Sequence, residues 1–163
     1  MANSILFASS LFFAFLHLAL IIFYRPPLTL SYSVLCGVFS SLWNHGTTSE
    51  IAKWSDRGMM AVGAIIDFAY LATVPTASRL LLAALVVAAI VGYAGAKALV
   101  RVAQKKEVAP AATVFAAVFT SGNLPHLLAH LCLSCTHFIM IAELAAQCAQ
   151  TAKGGGLAGL LCV

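Results

Sequence analysis

Histidine is costly to keep inside lipid, yet this chain sets three of its five histidines on two apolar segments in a pattern that packing alone does not require. His45 ends Ser41-Leu42-Trp43-Asn44-His45, and His126 and His130 form a His-x-x-x-His pair. Residues four apart on a helix share a face, offset by about 40°. Ser41 therefore points with His45, and His126 with His130. Imidazole nitrogen is a ready ligand for Zn2+, and a catalytic zinc site keeps three protein ligands with water in the fourth place. His45, His126 and His130 supply three. Bound zinc lowers the pKa of that water to about 7. Asp56, eleven residues after His45, then serves as general base or as the group that orients the water. Ser41 would donate to a substrate carbonyl or to the developing oxyanion. The pattern implies a metal-dependent hydrolase within a membrane. A His-x-x-x-His pair alone also suits haem, copper or plain packing, and the added Ser-x-x-x-His and downstream aspartate are what favour the metal.

The remaining polar residues read differently. His137 lies eleven residues past His126, on nearly the same helical stripe but about 16 Å further along the axis, too far to bind the same ion. Three histidines on one stripe mark a face turned toward protein or water. His17, alone in its segment, reads as an interfacial or interhelical hydrogen-bonding residue. Asp67 and Glu143 fall inside apolar runs, where carboxylates are functional by default, although Asp67 also suits pairing with a neighbouring helix. Cys132 and Cys135 project away from the His126 face, so buried thiols fit better than a redox or zinc site. An odd cysteine count of five within lipid predicts reduced thiols throughout.

The elements that must position these groups are set by composition. Of 163 residues 62% are hydrophobic and only 9% charged, with a mean hydropathy of +0.99. Soluble domains carry roughly 25% charged residues, so the chain is expected to be an all-α, multi-pass integral membrane bundle. Spans are predicted at Ser4–Tyr24, Leu28–His45, Gly58–Val74, Ala77–Leu99 and about Leu124–Ala146, since each needs about 20 apolar residues. The first is a retained span rather than a signal peptide, because no basic region precedes it and no small-residue cleavage site follows. Arg25-Pro26-Pro27 separates the first two spans, Gly46 to Arg57 forms a polar connection, and Pro75 parts the third from the fourth. Val108–Thr120, about 13 residues long, reads as a re-entrant or interfacial piece rather than a span, giving five to six membrane segments in all. Residues 1–150 form one bundle domain and 151–163 a flexible tail. The net charge of +4 is too small and scattered for a nucleic-acid footprint. Lys53, Arg57 and the cluster from Lys97 to Lys106 fall on one side, which the positive-inside rule makes cytoplasmic.

Two blocks carry a resemblance. Ser41-x-x-x-His45 followed by Trp54-Ser55-Asp56-Arg57, and His126-x-x-x-His130-Leu131 followed by His137-Phe138, resemble the superfamily of haemolysin III-like proteins, progestin/adipoQ receptors and alkaline ceramidases. Arg57 stands where haemolysin III-like members usually have histidine. The resemblance covers about a third of the chain. It implies a helical bundle with zinc held by His45, His126 and His130, Asp56 near the metal water and Ser41 beside it. It also implies hydrolysis of a lipid amide, or a receptor role built on the same site. The family has seven spans, and here only about 70 residues separate Asp56 from His126, so this would be a shortened member. If Val108–Thr120 crossed fully, His126 would land on the face opposite His45 and no ion could be shared.

Three function classes follow: a zinc-dependent lipid amide hydrolase of ceramidase type, a non-catalytic receptor-like protein, and a small structural subunit completed by protein partners in a membrane complex. Membrane lipids are the expected surroundings in each.

Overall fold

Short breaks cut the chain into helices, and each break has a local cause. The computed structural model describes residues 4–105 and 122–154. Among these it is wholly helical, with no strand: α1 (Ser4–Tyr24), α2 (Leu28–Gly46), α3 (Glu50–Leu71), α4 (Thr76–Lys105) and α5 (Asn123–Gly154). α1 ends where Arg25 takes a left-handed backbone, φ 47°. Its N–H reaches back to Ile21 O at 3.0 Å, and Pro26-Pro27 forbids any continuation.

The expected polar connection from Gly46 to Arg57 shrinks to Thr47–Ser49. Ser49 caps α3 by accepting from Ala52 N at 3.3 Å, and Glu50 in the first turn pairs with Lys53 at 2.9 Å. A capping serine with an acidic first turn favours helix as soon as the chain turns. Asp56 is consequently on a helix, nearly two turns in. At the far end of α3, Arg79 donates to Ala72 O and Val74 O, both at 2.9 Å, and so satisfies carbonyls freed by the turn before α4.

α5 runs to Gly154, beyond the expected boundary at residue 150. The rest of the expected flexible tail and the whole of Val108–Thr120 lie outside the described residues. Cys36, Cys132 and Cys135 carry free thiols, whereas Cys148 is disulfide-bonded. The expectation of thiols throughout is corrected there. Cys148 lies within two turns of the C-terminal end of α5.

α1, the Thr76–Val102 part of α4 and the Asn123–Gln150 part of α5 are long and apolar enough to cross a membrane. α2 and α3 are diluted by Ser31, Ser33, Ser40, Ser41, Asn44 and by Glu50, Lys53, Asp56, Arg57. The bundle is inverted relative to a water-soluble one. Phe12, Phe15, Ile22, Phe23, Ile65 and Leu80 are exposed, while His17, His45, Asp56, Asp67, His126, Thr136 and His137 are buried. In water this arrangement would expose apolar area far above a normal patch. In lipid it hides the polar groups and wets none of the apolar ones.

Packing polarises the bundle along its length. At one end Leu20, Leu30, Val34, Leu82, Met140 and Ile141 form a closed apolar cluster. At the other, α4 and α5 approach so closely that a Cβ on Gly92 would come within 2.9 Å of Pro125 O, and one on Gly122 would collide with Ala96 O. Gly122 also has a φ of 79°, which suits glycine alone. This contact sets the Gly92–Ala96 stretch of α4 beside the first turn of α5. The ends of α2 and α4 and the starts of α3 and α5 thus meet at one end of the bundle. α3 and α4 scarcely touch, so the interior between them stays open as a cavity.

Candidate metal centre

The last turn of α2 brings in His45, and the first two turns of α5 bring in His126 and His130. One nitrogen of each lies within 4.8 Å of the others. Ring centroids are 5.1 Å apart for His45–His126, 5.7 Å for His45–His130 and 4.8 Å for His126–His130. A tetrahedral ion about 2.1 Å from each nitrogen spaces its ligands roughly 3.4 Å apart, inside that envelope. Among the described residues no other group of three histidine, cysteine or carboxylate ligands comes together this way.

The donor chemistry also fits a divalent ion. Ser9 Oγ donates to Leu6 O at 2.8 Å, so toward His130 Nδ1, at 3.3 Å, the hydroxyl acts as acceptor. His130 Nδ1 therefore carries the hydrogen, and Nε2 keeps its lone pair for a ligand bond. The three rings make no hydrogen bond to one another. Tyr93 stands edge-on to His126, with centroids 5.3 Å apart, and Phe13 edge-on to His130 at 6.1 Å, which holds both imidazoles in place.

Asp56 is not one of the converging ligands. It is buried, its Oδ2 accepting from Asn44 Nδ2 at 2.7 Å and its Oδ1 from Ser40 Oγ at 3.4 Å. Both donors come from α2, one turn apart, so the same helix that supplies His45 aims the carboxylate. Ser41 Oγ lies 3.2 Å from Ser10 Oγ of α1. Either may donate to the other, and in both cases one hydroxyl hydrogen remains for a further acceptor.

Two hollows adjoin this centre. A mouth of about 200 Å³ is lined by His45 and His126 together with Asn44, Lys53, Arg57 and Lys97. Three cations at its rim give it positive potential. Arg57 stacks over Trp54 at 4.8 Å and Lys97 over Tyr93 at 4.9 Å, so two of these charges are held by rings rather than neutralised. A larger cavity of about 340 Å³ runs inward past Ser41, Asp56, His126 and His130 between apolar walls that include Phe13, Met60 and Leu133.

All five sequence-identified residues therefore surround one region: three imidazoles converge, and Asp56 and Ser41 line the cavity that they share with His126 and His130. Ser9, Ser10, Asn44 and Tyr93 were not singled out from the sequence as site residues, and Lys97 was read there only as part of the basic cluster. Ser9-Ser10 inside an otherwise apolar first segment was the signal available, and Asn44 sits next to His45. Tyr93 and Lys97 had none, since they join the site only through the α4–α5 crossing. No protein-family model, curated protein or solved structure matches this chain.

Proposed function

We propose that the chain is a short member of the haemolysin III, progestin/adipoQ receptor and alkaline ceramidase superfamily that acts as a zinc-dependent hydrolase of a lipid amide within the membrane. The observation that carries this reading is the meeting of His45 with His126 and His130 inside a bundle whose exterior is apolar. Histidines from segments about 80 residues apart in sequence are not drawn together by apolar packing, which would favour burying something else there.

His45, His126 and His130 would hold the ion, and Ser9 fixes the tautomer that His130 needs. When bound, zinc would supply Lewis-acid activation of a water or of the scissile carbonyl. Asp56, steadied by Asn44 and Ser40, is placed to take a proton at its carboxylate. The Ser10–Ser41 pair has one hydrogen to offer to developing negative charge on the carbonyl oxygen. The apolar cavity excludes water and receives the ligand's hydrocarbon, and the cationic mouth is the way out for a carboxylate product.

In this reading all five helices cross the bilayer. The cations Lys53, Arg57 and Lys97 share one end with the metal centre, and the positive-inside rule makes that end cytoplasmic. The last turn of α4 and the first turn of α5 would both lie on that side.

Metal content is the decisive measurement. Purified protein should contain about one zinc per chain and release fatty acid from an N-acyl lipid. Protein with zinc but no hydrolysis of any lipid amide would leave a receptor-like role. Protein without zinc would leave a structural subunit.

A further inference from the structure

α3 and α5 carry the same spacing twice. Asp56 and Asp67 are eleven residues apart on α3, and His126 and His137 are eleven apart on α5. Eleven residues are about three turns, so each pair shares a face and the second station lies about 16 Å deeper. Both stations line the same cavity of about 340 Å³, joined there by His17 of α1.

The deeper station is wired differently from the metal centre. His137 Nε2 lies 3.0 Å from Asp67 Oδ2, His17 Nε2 lies 3.1 Å from His137 Nδ1, and His17 Nδ1 lies 2.7 Å from Phe13 O. A carbonyl can only accept, so His17 Nδ1 carries a hydrogen. The other two hydrogen bonds need one hydrogen each, one more than a neutral His137 carries, and that added proton has three homes: on Asp67 Oδ2, on His137, or on His17 Nε2. In each case Asp67, His137 and His17 together are neutral. In each case Asp67 Oδ1 remains a pure acceptor. That oxygen is buried and has no hydrogen-bond partner among the described residues, although Asp67 is only 8% exposed. Burying an acceptor unpaired is destabilising, so the site is built to be completed from the cavity.

We propose that Asp67 is a second binding station, one that accepts a hydrogen bond from a neutral hydroxyl group on an apolar, chain-like ligand lying in the cavity. A hydroxyl is selected over an ammonium because the Asp67–His137–His17 chain already carries its proton and offers no net negative charge. A cation there would be buried without a counter-charge. The walls between the two stations are apolar, which suits hydrocarbon. This proposal does not rest on the metal reading.

The test uses the full chain in lipid nanodiscs, with 15N-labelled histidine and two probes, 1-dodecanol and its methyl ether, whose amounts in the bilayer are measured. His17 should show a protonated Nδ1. Dodecanol should shift the His137 nitrogens and bind roughly five- to tenfold tighter than the ether, the factor one net hydrogen bond supplies. Asp67→Asn should keep that preference, because its amide donates to His137 Nε2 and its carbonyl still accepts. Asp67→Leu should bring dodecanol down to the ether's affinity. Equal binding of alcohol and ether by the unaltered protein overturns the proposal, and that comparison needs no variant to fold. An Asp67→Leu protein that keeps the preference overturns it as well. An unprotonated His17 Nδ1 overturns the choice of a neutral ligand. His130→Ala should lose zinc and keep the alcohol preference, so a failure of the metal reading is told apart from a failure of this one.

Discussion

At the upper station the imidazoles of His45, His126 and His130 make no hydrogen bond to one another, His130 Nδ1 facing Ser9 Oγ at 3.3 Å, and one nitrogen of each lies within 4.8 Å of the others. At the lower station His137 and His17 bond to each other and to Asp67 in a line. The same residue types, on two of the same helices and the same cavity, are thus arranged once with three nitrogens converging and once as a hydrogen-bonded line. What separates them is the distribution of lone pairs. A histidine whose Nδ1–H is satisfied by a hydroxyl has a free Nε2, whereas one bonded at both nitrogens has nothing left for a metal.

That contrast can be broken most sharply by deletion of a ligand. His126→Ala or His130→Ala should abolish stoichiometric zinc, while His17→Ala and His137→Ala should retain about one ion per chain by elemental analysis. Unchanged zinc in the His130→Ala protein would remove that ligand from the set. Next in size is Asp56. Asp56→Asn should keep the metal and slow lipid amide hydrolysis by roughly 10–100-fold. A normal rate in that variant would exclude the carboxylate from the chemistry.

A smaller effect is expected from Ser9→Ala, which leaves His130 free to turn. Zinc affinity, read by competition with a chelator, should fall about tenfold, at the lower end of what an orienting partner contributes. Ser134→Ala, on the same face of α5 but with no role in either station, serves as its control. The smallest expected signal is topological. Thiols introduced by Lys105→Cys and Asn123→Cys, in a background lacking accessible cysteines, should label from the same face of the bilayer. Labelling from opposite faces would set the membrane reading of the bundle against the closeness of His45 and His126, and one of the two would have to be given up.

Much of this was legible residue by residue. The four-residue spacings of Ser41 with His45 and of His126 with His130 are helical facts that hold wherever the helices go. The prolines at 26 and 27 fix the end of α1 because a ring without an N–H cannot extend a helix. The start of α3 was misjudged because Glu50, Lys53, Asp56 and Arg57 look like a polar connection by hydropathy, while the Ser49 cap and the Glu50–Lys53 pair are local signals that outweigh it.

Partnership between helices was beyond the sequence. His137 could be assigned to the His126 stripe, but neither its bond to His17 nor the one to Asp67 could be read, since those partners lie 120 and 70 residues away and the choice is made by which helices pack. Composition and spacing determined that the chain is helical and apolar, and which polar residues share a face. Only the tertiary structure decided that the end of α2 meets the start of α5, as the ring contacts of His45 with His126 and His130 record, and that α4 crosses α5 closely at Gly92–Pro125 and Ala96–Gly122. Faces follow from backbone geometry within one segment, whereas meetings follow from the packing of side chains across segments, which no single segment contains.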